Sequence, residues 1–147
     1  MIAGALENAG LQDPLDALGF NIVGFGCTTC NGGSGPLPGP IVDALESEDL
    51  VGTAVLSGNR NFPGRTHPNA RAAYLASPAL VVAYAIAGSM NVDVAKDAIG
   101  TGSDGNPVYL RDIWPGAEEI NRIVGETFEP HLFEEKYADL FEGNATW

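Results

Sequence analysis

A short apolar run at residues 51–57, Val-Gly-Thr-Ala-Val-Leu-Ser, constrains the fold of this chain more than any other segment. The run carries no charged side chain, and glycines bound its apolar centre. Strands that are buried on both faces have this composition, and they are typical of parallel sheets covered by helices. The run therefore predicts a buried strand of a parallel sheet.

Strand and helix patterns alternate along the rest of the chain. The β-branched and aromatic runs at residues 21–25 and 108–110 predict two more strands. Apolar spacing over residues 1–18 predicts a helix with a break at residues 10–14. Further helices are predicted at residues 41–48, 70–77, 80–87, 115–125 and 129–141. This alternation predicts an α/β layered domain with a mainly parallel sheet flanked by helices, and the length of 147 residues predicts one domain over residues 1–147.

Two loops follow predicted strands, at residues 26–40 and 58–69. In open parallel sheets, the loops at the carboxyl ends of the strands build the ligand site. We therefore expect these two loops to form the functional site.

The charge of the chain limits its partners. The formal net charge is -12, which opposes the binding of nucleic acid phosphates and argues against RNA as a partner. No apolar run is long enough to cross a bilayer, and the N-terminus lacks the basic region of a secretory signal. We expect a cytoplasmic protein without a membrane partner.

The first loop contains the only two cysteines of the chain, Cys27 and Cys30. A C-x-x-C spacing lets two thiolates bind one metal centre or form one redox pair, and thiolates are strong ligands of zinc and of iron–sulfur clusters. A structural disulfide is disfavoured in a cytosolic chain. A metal or cluster site, a dithiol redox site and two inert thiols all remain open on spacing alone. A cluster takes more than two cysteines, so at least one ligand would come from elsewhere.

The second loop carries Arg60 and Arg65 around Asn61-Phe62-Pro63-Gly64. Guanidinium groups bind carboxylates through paired hydrogen bonds, and Asn59 can donate and accept beside them. The loop therefore suits a small polycarboxylate. The alternative is that these arginines only pair with acidic residues on the surface. In the same loop, His67 is either a general base or, as is more common, a structural or solvated side chain.

Six stretches together resemble the third domain of the aconitase A and iron-regulatory-protein family, in matching order and spacing. The first contains Gly-Cys-Thr-Thr-Cys and the third contains Ser-Gly-Asn-Arg-Asn-Phe. The resemblance runs from Leu15 to Trp147. The stretches lie at residues 24–30, 34–37, 55–62, 74–78, 81–88 and 112–115.

The resemblance implies an iron–sulfur hydro-lyase. Family members isomerise citrate to isocitrate through cis-aconitate, with a 4Fe-4S cluster held by three cysteines. Cys27 and Cys30 would be two of these metal ligands, and the third would lie outside this chain. Asn59 would hydrogen-bond beside the cluster, while Arg60 and Arg65 would bind substrate carboxylates.

The chain departs from the family pattern at two places. Asn31-Gly32-Gly33 stands where members often have Ile-Gly-Asn, and Pro63 stands where they often have Glu. The asparagine after the second cysteine resembles the iron–sulfur 2-methylcitrate dehydratases, whereas the Gly-Pro-Leu at residues 35–37 is more like the aconitases.

The family's first cluster cysteine, its catalytic histidines and aspartates, and its serine base have no counterpart among these residues. We therefore expect a portion of a larger aconitate hydratase that is inactive alone and works with the remaining aconitase domains. The alternatives are a fragment of a 2-methylcitrate dehydratase, an RNA-binding regulatory module and a stand-alone dithiol redox module.

Overall fold

A computed structural model describes residues 2–24, 35–58 and 65–138 of this chain, with backbone only at residues 135 and 136. The chain separates into two compact units, one from Met1–Ile22 with Trp114–Trp147 and the other from Val23–Ile113. The helices are α1 (Ile2–Asn8), α2 (Gln12–Ala17), α3 (Gly39–Ser47), α4 (Pro78–Ala87), α5 (Leu110–Ile113), α6 (Ala117–Thr127) and α7 (Pro130–Tyr137). The strands are β1 (Gly52–Leu56), β2 (Ala70–Leu75), β3 (Ala98–Thr101) and β4 (Pro107–Tyr109).

The strand predicted at residues 51–57 is confirmed as β1, which pairs in parallel with β2. Helix α4 packs against β1 and β3, and Leu45 of α3 approaches Gly52 at the start of β1. The predicted α/β class, with a parallel sheet flanked by helices, is thereby confirmed. Strand β1 is half-buried rather than buried on both faces, because in the described part of the chain β2 is its one paired neighbour.

The helix predicted at residues 70–77 is wrong, because these residues form strand β2. Its sequence, Ala-Arg-Ala-Ala-Tyr-Leu, is rich in residues of high helix propensity. Pairing with β1 from Gly52–Ala70 to Leu56–Leu75 supplies backbone hydrogen bonds that outweigh this weak preference. The amide of the next residue, Ala76, donates to the Leu56 carbonyl at 2.9 Å and extends the pairing just past the end of β2.

A strand was also predicted at residues 21–25. Residues 21–24 have no regular structure, so the prediction is wrong there, and Phe25 lies outside the described residues. Residues 21–24 pair with no strand in the described ranges. Val23 is 89% exposed, so burial does not support a strand here. β-Branched side chains favour a strand only when a neighbouring strand and a packed face support it.

Helices α3 and α4 confirm two predictions and show how local sequence sets helix ends. Pro38 precedes α3, and α4 begins with Pro78, a residue suited to the first helical turn. The Ser77 hydroxyl accepts a hydrogen bond of 3.3 Å from the Leu80 amide and caps α4. Gly88 ends α4 with a φ of 66°, in the left-handed region that glycine adopts without strain.

Strands β3 and β4 form an antiparallel hairpin, of which only the second strand, at residues 108–110, is predicted from the sequence. In the turn, the Asn106 backbone and side-chain amides donate to the Asp104 carboxylate at 3.0 and 2.7 Å. These two hydrogen bonds hold the pKa of Asp104 below its usual value. The bond from the Asn106 backbone contributes most, and the bond from its side chain contributes next. The strand predicted at 108–110 ends at Tyr109, because the Asp112 carboxylate accepts from the Tyr109 amide at 2.8 Å and α5 begins.

The described elements of the other unit are helices. The predicted first helix is confirmed, but its break lies at residues 9–11 rather than 10–14, because α2 already begins at Gln12 and includes Pro14 in its first turn. Helix α6 begins after Gly116. The closing helix, predicted at residues 129–141, is α7 as far as Tyr137; residues 139–141 lie outside the described part. Ala5 of α1 and Thr127 of α6 are buried. Among the described residues, no helix combines the length and the apolarity that a bilayer crossing requires.

Candidate functional site

The structure describes one of the five predicted site residues. Arg65 lies in a bend before β2 and is half-buried. Cys27, Cys30, Asn59 and Arg60 lie outside the described residues. The geometry of the site is therefore given by the segments that lead into and out of the two predicted loops.

The second predicted loop, residues 58–69, is called the arginine loop below. It starts after the carboxyl end of β1, as predicted. It connects Leu56, the last residue of β1, to Ala70, the first residue of β2. Two neighbouring parallel strands require such a crossover, because the chain must return from the carboxyl end of one strand to the amino end of the next. The loop at residues 26–40 was expected to follow a strand as well, but residues 21–24 form none.

A cavity of about 300 Å³ lies beside β1. Gly35 and Leu37, from the predicted cysteine loop, line it together with Thr66 and His67, from the arginine loop. Leu45 of α3 adds an apolar wall. The described ends of both predicted loops therefore border one cavity.

A tight turn at residues 67–70 joins the arginine loop to β2. The Ala70 amide donates to the His67 carbonyl at 2.9 Å, and Pro68 occupies the second position, where its fixed φ suits the turn. The Asn69 amide donates to His67 Nδ1 at 3.2 Å. Because Nδ1 accepts, the ring proton of the neutral imidazole lies on Nε2. His67 thus has a structural hydrogen bond in addition to lining the cavity.

The turn is fastened to α3 and β1 through Asn69. The side-chain amide of Asn69 donates to the Glu46 carboxylate of α3 at 3.1 Å. The Asn69 carbonyl oxygen lies so close to Gly52 that a Cβ built there would be 2.8 Å away. Both contacts join the arginine loop to elements that precede it in the chain.

An ion pair lies next to this turn. Arg71 of β2 contacts the Asp49 carboxylate at 2.6 Å, and the two side chains are 53% and 91% exposed. Arg71 lies where the register of β1 and β2 shifts by one residue, between the Gly52 and Thr53 pairings. Solvent screens such a pair, so it adds little to stability.

Among the side chains described within residues 2–24, 35–58 and 65–138, no group of three or more His, Cys, Asp or Glu could hold a metal ion. Cys27 and Cys30, the two thiolates of the sequence, lie outside these ranges.

Sequence reasoning did not identify Glu46, Gly52 and Asn69 as residues that shape the site. The His-Pro-Asn sequence at residues 67–69 is a turn signal that could have identified the turn. The pairing of Asn69 with Glu46 spans 23 residues of chain, and no local pattern indicates it.

Comparisons with known proteins agree with the motifs of the sequence. The model of the aconitase family (aconitate hydratase) matches residues 1–88. Aconitate hydratase A of Streptomyces viridochromogenes is 56% identical over 141 residues, which are 96% of this chain and 15% of that protein. Aconitate hydratase A of Staphylococcus aureus is 54% identical over 147 residues, 100% of this chain and 16% of that protein.

A third relative gives the same relationship. Aconitate hydratase A of Thermus thermophilus is 54% identical over 142 residues, which cover 97% of this chain and 16% of that protein. The chain therefore spans 15% to 16% of the length of these relatives.

Proposed function

This chain belongs to the aconitase family, and on that premise we propose that it is the cluster- and substrate-binding portion of an aconitate hydratase. Such an enzyme is a hydro-lyase that isomerises citrate to isocitrate by removing and adding water. The observation that carries the proposal is the cavity beside β1, which the described ends of both predicted loops border.

Cys27 and Cys30 are the residues that we assign to an iron–sulfur cluster. Aconitase-family proteins are generally iron–sulfur enzymes, and thiolates are the usual protein ligands of such clusters. The donor set of this chain fits the group in chemistry and falls short in number, so a third cysteine comes from outside it. When bound, the cluster supplies an iron that acts as a Lewis acid toward substrate oxygens.

Arg60 and Arg65 are the residues that we assign to the substrate carboxylates. Guanidinium binds a carboxylate through two parallel hydrogen bonds, which fix the orientation as well as the charge. In a chain of net charge -12, two arginines in one loop provide a local positive field that draws in a polyanion. Asn59 can donate its side-chain amide beside them.

These residues alone do not complete the active site under this proposal. The side chains that move protons during dehydration are to be supplied by the remaining domains of a longer enzyme. Within this chain, the work is to bind and orient the substrate and to hold two positions of the cluster. We also propose that residues 1–147 act as one domain of that enzyme.

Iron reconstitution of the purified chain tests the cluster assignment. We expect anaerobic incubation with iron and sulfide to give broad visible absorption that persists through desalting. The Cys27→Ser/Cys30→Ser variant should lose it, whereas Ser103→Ala, in an exposed turn, should keep it. Equal retention of iron by the cysteine variant and the parent chain would overturn the assignment.

Citrate binding and turnover test the remaining assignments. We expect the Arg60→Ala and Arg65→Ala variants to bind citrate more weakly than the parent chain in calorimetric titration. Arg122→Ala removes an exposed arginine from α6 and should leave affinity unchanged. The chain should not convert cis-aconitate, and steady turnover at enzyme-like rates would contradict the need for further domains.

A further inference from the structure

The turn at residues 67–70 is joined to earlier elements of the fold by long-range contacts. Its internal bonds, from the Ala70 and Asn69 amides to His67, make it locally rigid. Its fastening to the rest of the fold runs through Asn69, which contacts Glu46 and Gly52. Arg65 precedes His67 by two residues, a stretch of chain that spans at most about 7 Å.

We propose that Glu46 and Asn69 are positioning residues that hold the turn at residues 67–70 in place and, through it, the backbone of Arg65. Displacing the turn moves the attachment point of the short segment that carries Arg65, and that segment is too short to absorb a large shift. The chemical consequence, tighter binding of a polycarboxylate, rests on the substrate assignment made above for Arg65. The positioning itself is a property of the loop and does not require that assignment.

In the hydrogen bond between Asn69 and Glu46, the acceptor is a carboxylate, and this affects the strength of the bond. Hydrogen bonds to charged groups are stronger than those between neutral groups. The pair is exposed to solvent, so its effect on overall stability is small. Its effect on the loop is local, because it joins the turn before β2 to α3 across 23 residues of chain.

The conservative variant Glu46→Gln separates positioning from charge. Glutamine keeps an oxygen that accepts from Asn69, whereas Glu46→Ala removes the acceptor. Asp43→Ala is the matched control, because it removes an acid from the same helix at an exposed position. Any effect of net charge on anion binding is common to Glu46→Ala and Asp43→Ala.

Nitrogen NMR of the Arg65 Nε–H group measures the positioning directly, without any ligand. We expect its signal to shift or broaden in Asn69→Ala and Glu46→Ala and to stay in place in Asp43→Ala and Glu46→Gln. Thermal unfolding of each variant checks that the fold is retained. An Arg65 signal that is identical in all four variants would overturn the proposal.

Citrate affinity then tests the consequence, and a double-mutant cycle separates positioning from general loss of structure. We expect Asn69→Ala to weaken citrate binding by about fivefold to tenfold, and to have no further effect in an Arg65→Ala background. An equal loss in both backgrounds would show that Asn69 does not act through Arg65, and would overturn the proposal. If the parent chain binds no citrate while the Arg65 signal responds as expected, the substrate assignment fails and the positioning role stands.

Discussion

Gly52 and Asn69 are in such close contact that no side chain fits between them. A Cβ at Gly52 would lie 2.8 Å from the Asn69 carbonyl oxygen and 3.2 Å from a methyl group of Leu45. Gly52 begins β1, and Asn69 ends the turn that leads into β2. The start of the parallel sheet and the end of the arginine loop are therefore in contact at this glycine.

The close contact predicts that Gly52→Ala is destabilising. Backbone atoms cannot move as easily as the end of a side chain, so the strands must separate or the turn must shift. We expect a loss of about 1–3 kcal/mol in the free energy of unfolding, measured by urea denaturation. Gly100→Ala in β3 is the control, because a Cβ there meets nothing within 4 Å. Equal stability of Gly52→Ala and the parent chain would contradict the contact.

The N-cap of α4 gives a second prediction. Ser77→Ala removes the oxygen that accepts from the Leu80 amide, and a cap of this kind contributes about 1 kcal/mol. Ser77→Asp keeps an acceptor at the same position and should retain most of the stability. Thermal unfolding followed by circular dichroism measures both variants. If alanine and aspartate have the same effect, the cap does not stabilise α4.

Asp104 gives a prediction on pH. Because the Asn106 amides lower the pKa of Asp104 in the folded chain, its contribution to stability is present above the pKa of the unfolded state. That contribution is lost as the pH falls through the lower, folded pKa. An NMR titration of the Asn106 amide signal should have a midpoint below the ordinary pKa of aspartate. A midpoint at or above the ordinary value would rule out the stabilised carboxylate.

The sequence predicted the fold where one segment carried enough local information. The apolar run of β1 specifies its structure within a few residues, whereas Ser77 was predicted inside a helix and instead caps the start of α4. Strand β2 could not be predicted in this way, because its alanines favour a helix and its pairing with β1 decides the outcome. The strand prediction failed at residues 21–24 for the opposite reason, since these residues favour a strand but no strand in the described part of the chain pairs with them.

The chemistry of the candidate site rests on the sequence, and its supporting contacts come from the structure. Cysteine and arginine residues at close spacing are compatible with metal and carboxylate binding, and this assignment stays a prediction. The contact between Asn69 and Glu46 depends on how α3 packs beside the turn, and the sequence gives no periodicity that relates the two. The close approach at Gly52 likewise depends on where the arginine loop returns to the sheet, at Asn69.

The central claim is that the two thiolates and the two guanidinium groups share one pocket. A nitroxide label on Cys30, in a Cys27→Ser variant, measures this most directly through paramagnetic broadening of nearby NMR signals. The account predicts strong broadening of the Nε–H signals of Arg60 and Arg65, which returns to normal when the nitroxide is reduced. Arginine signals that are equally sharp with the oxidised and the reduced label would place the two loops apart and contradict the account.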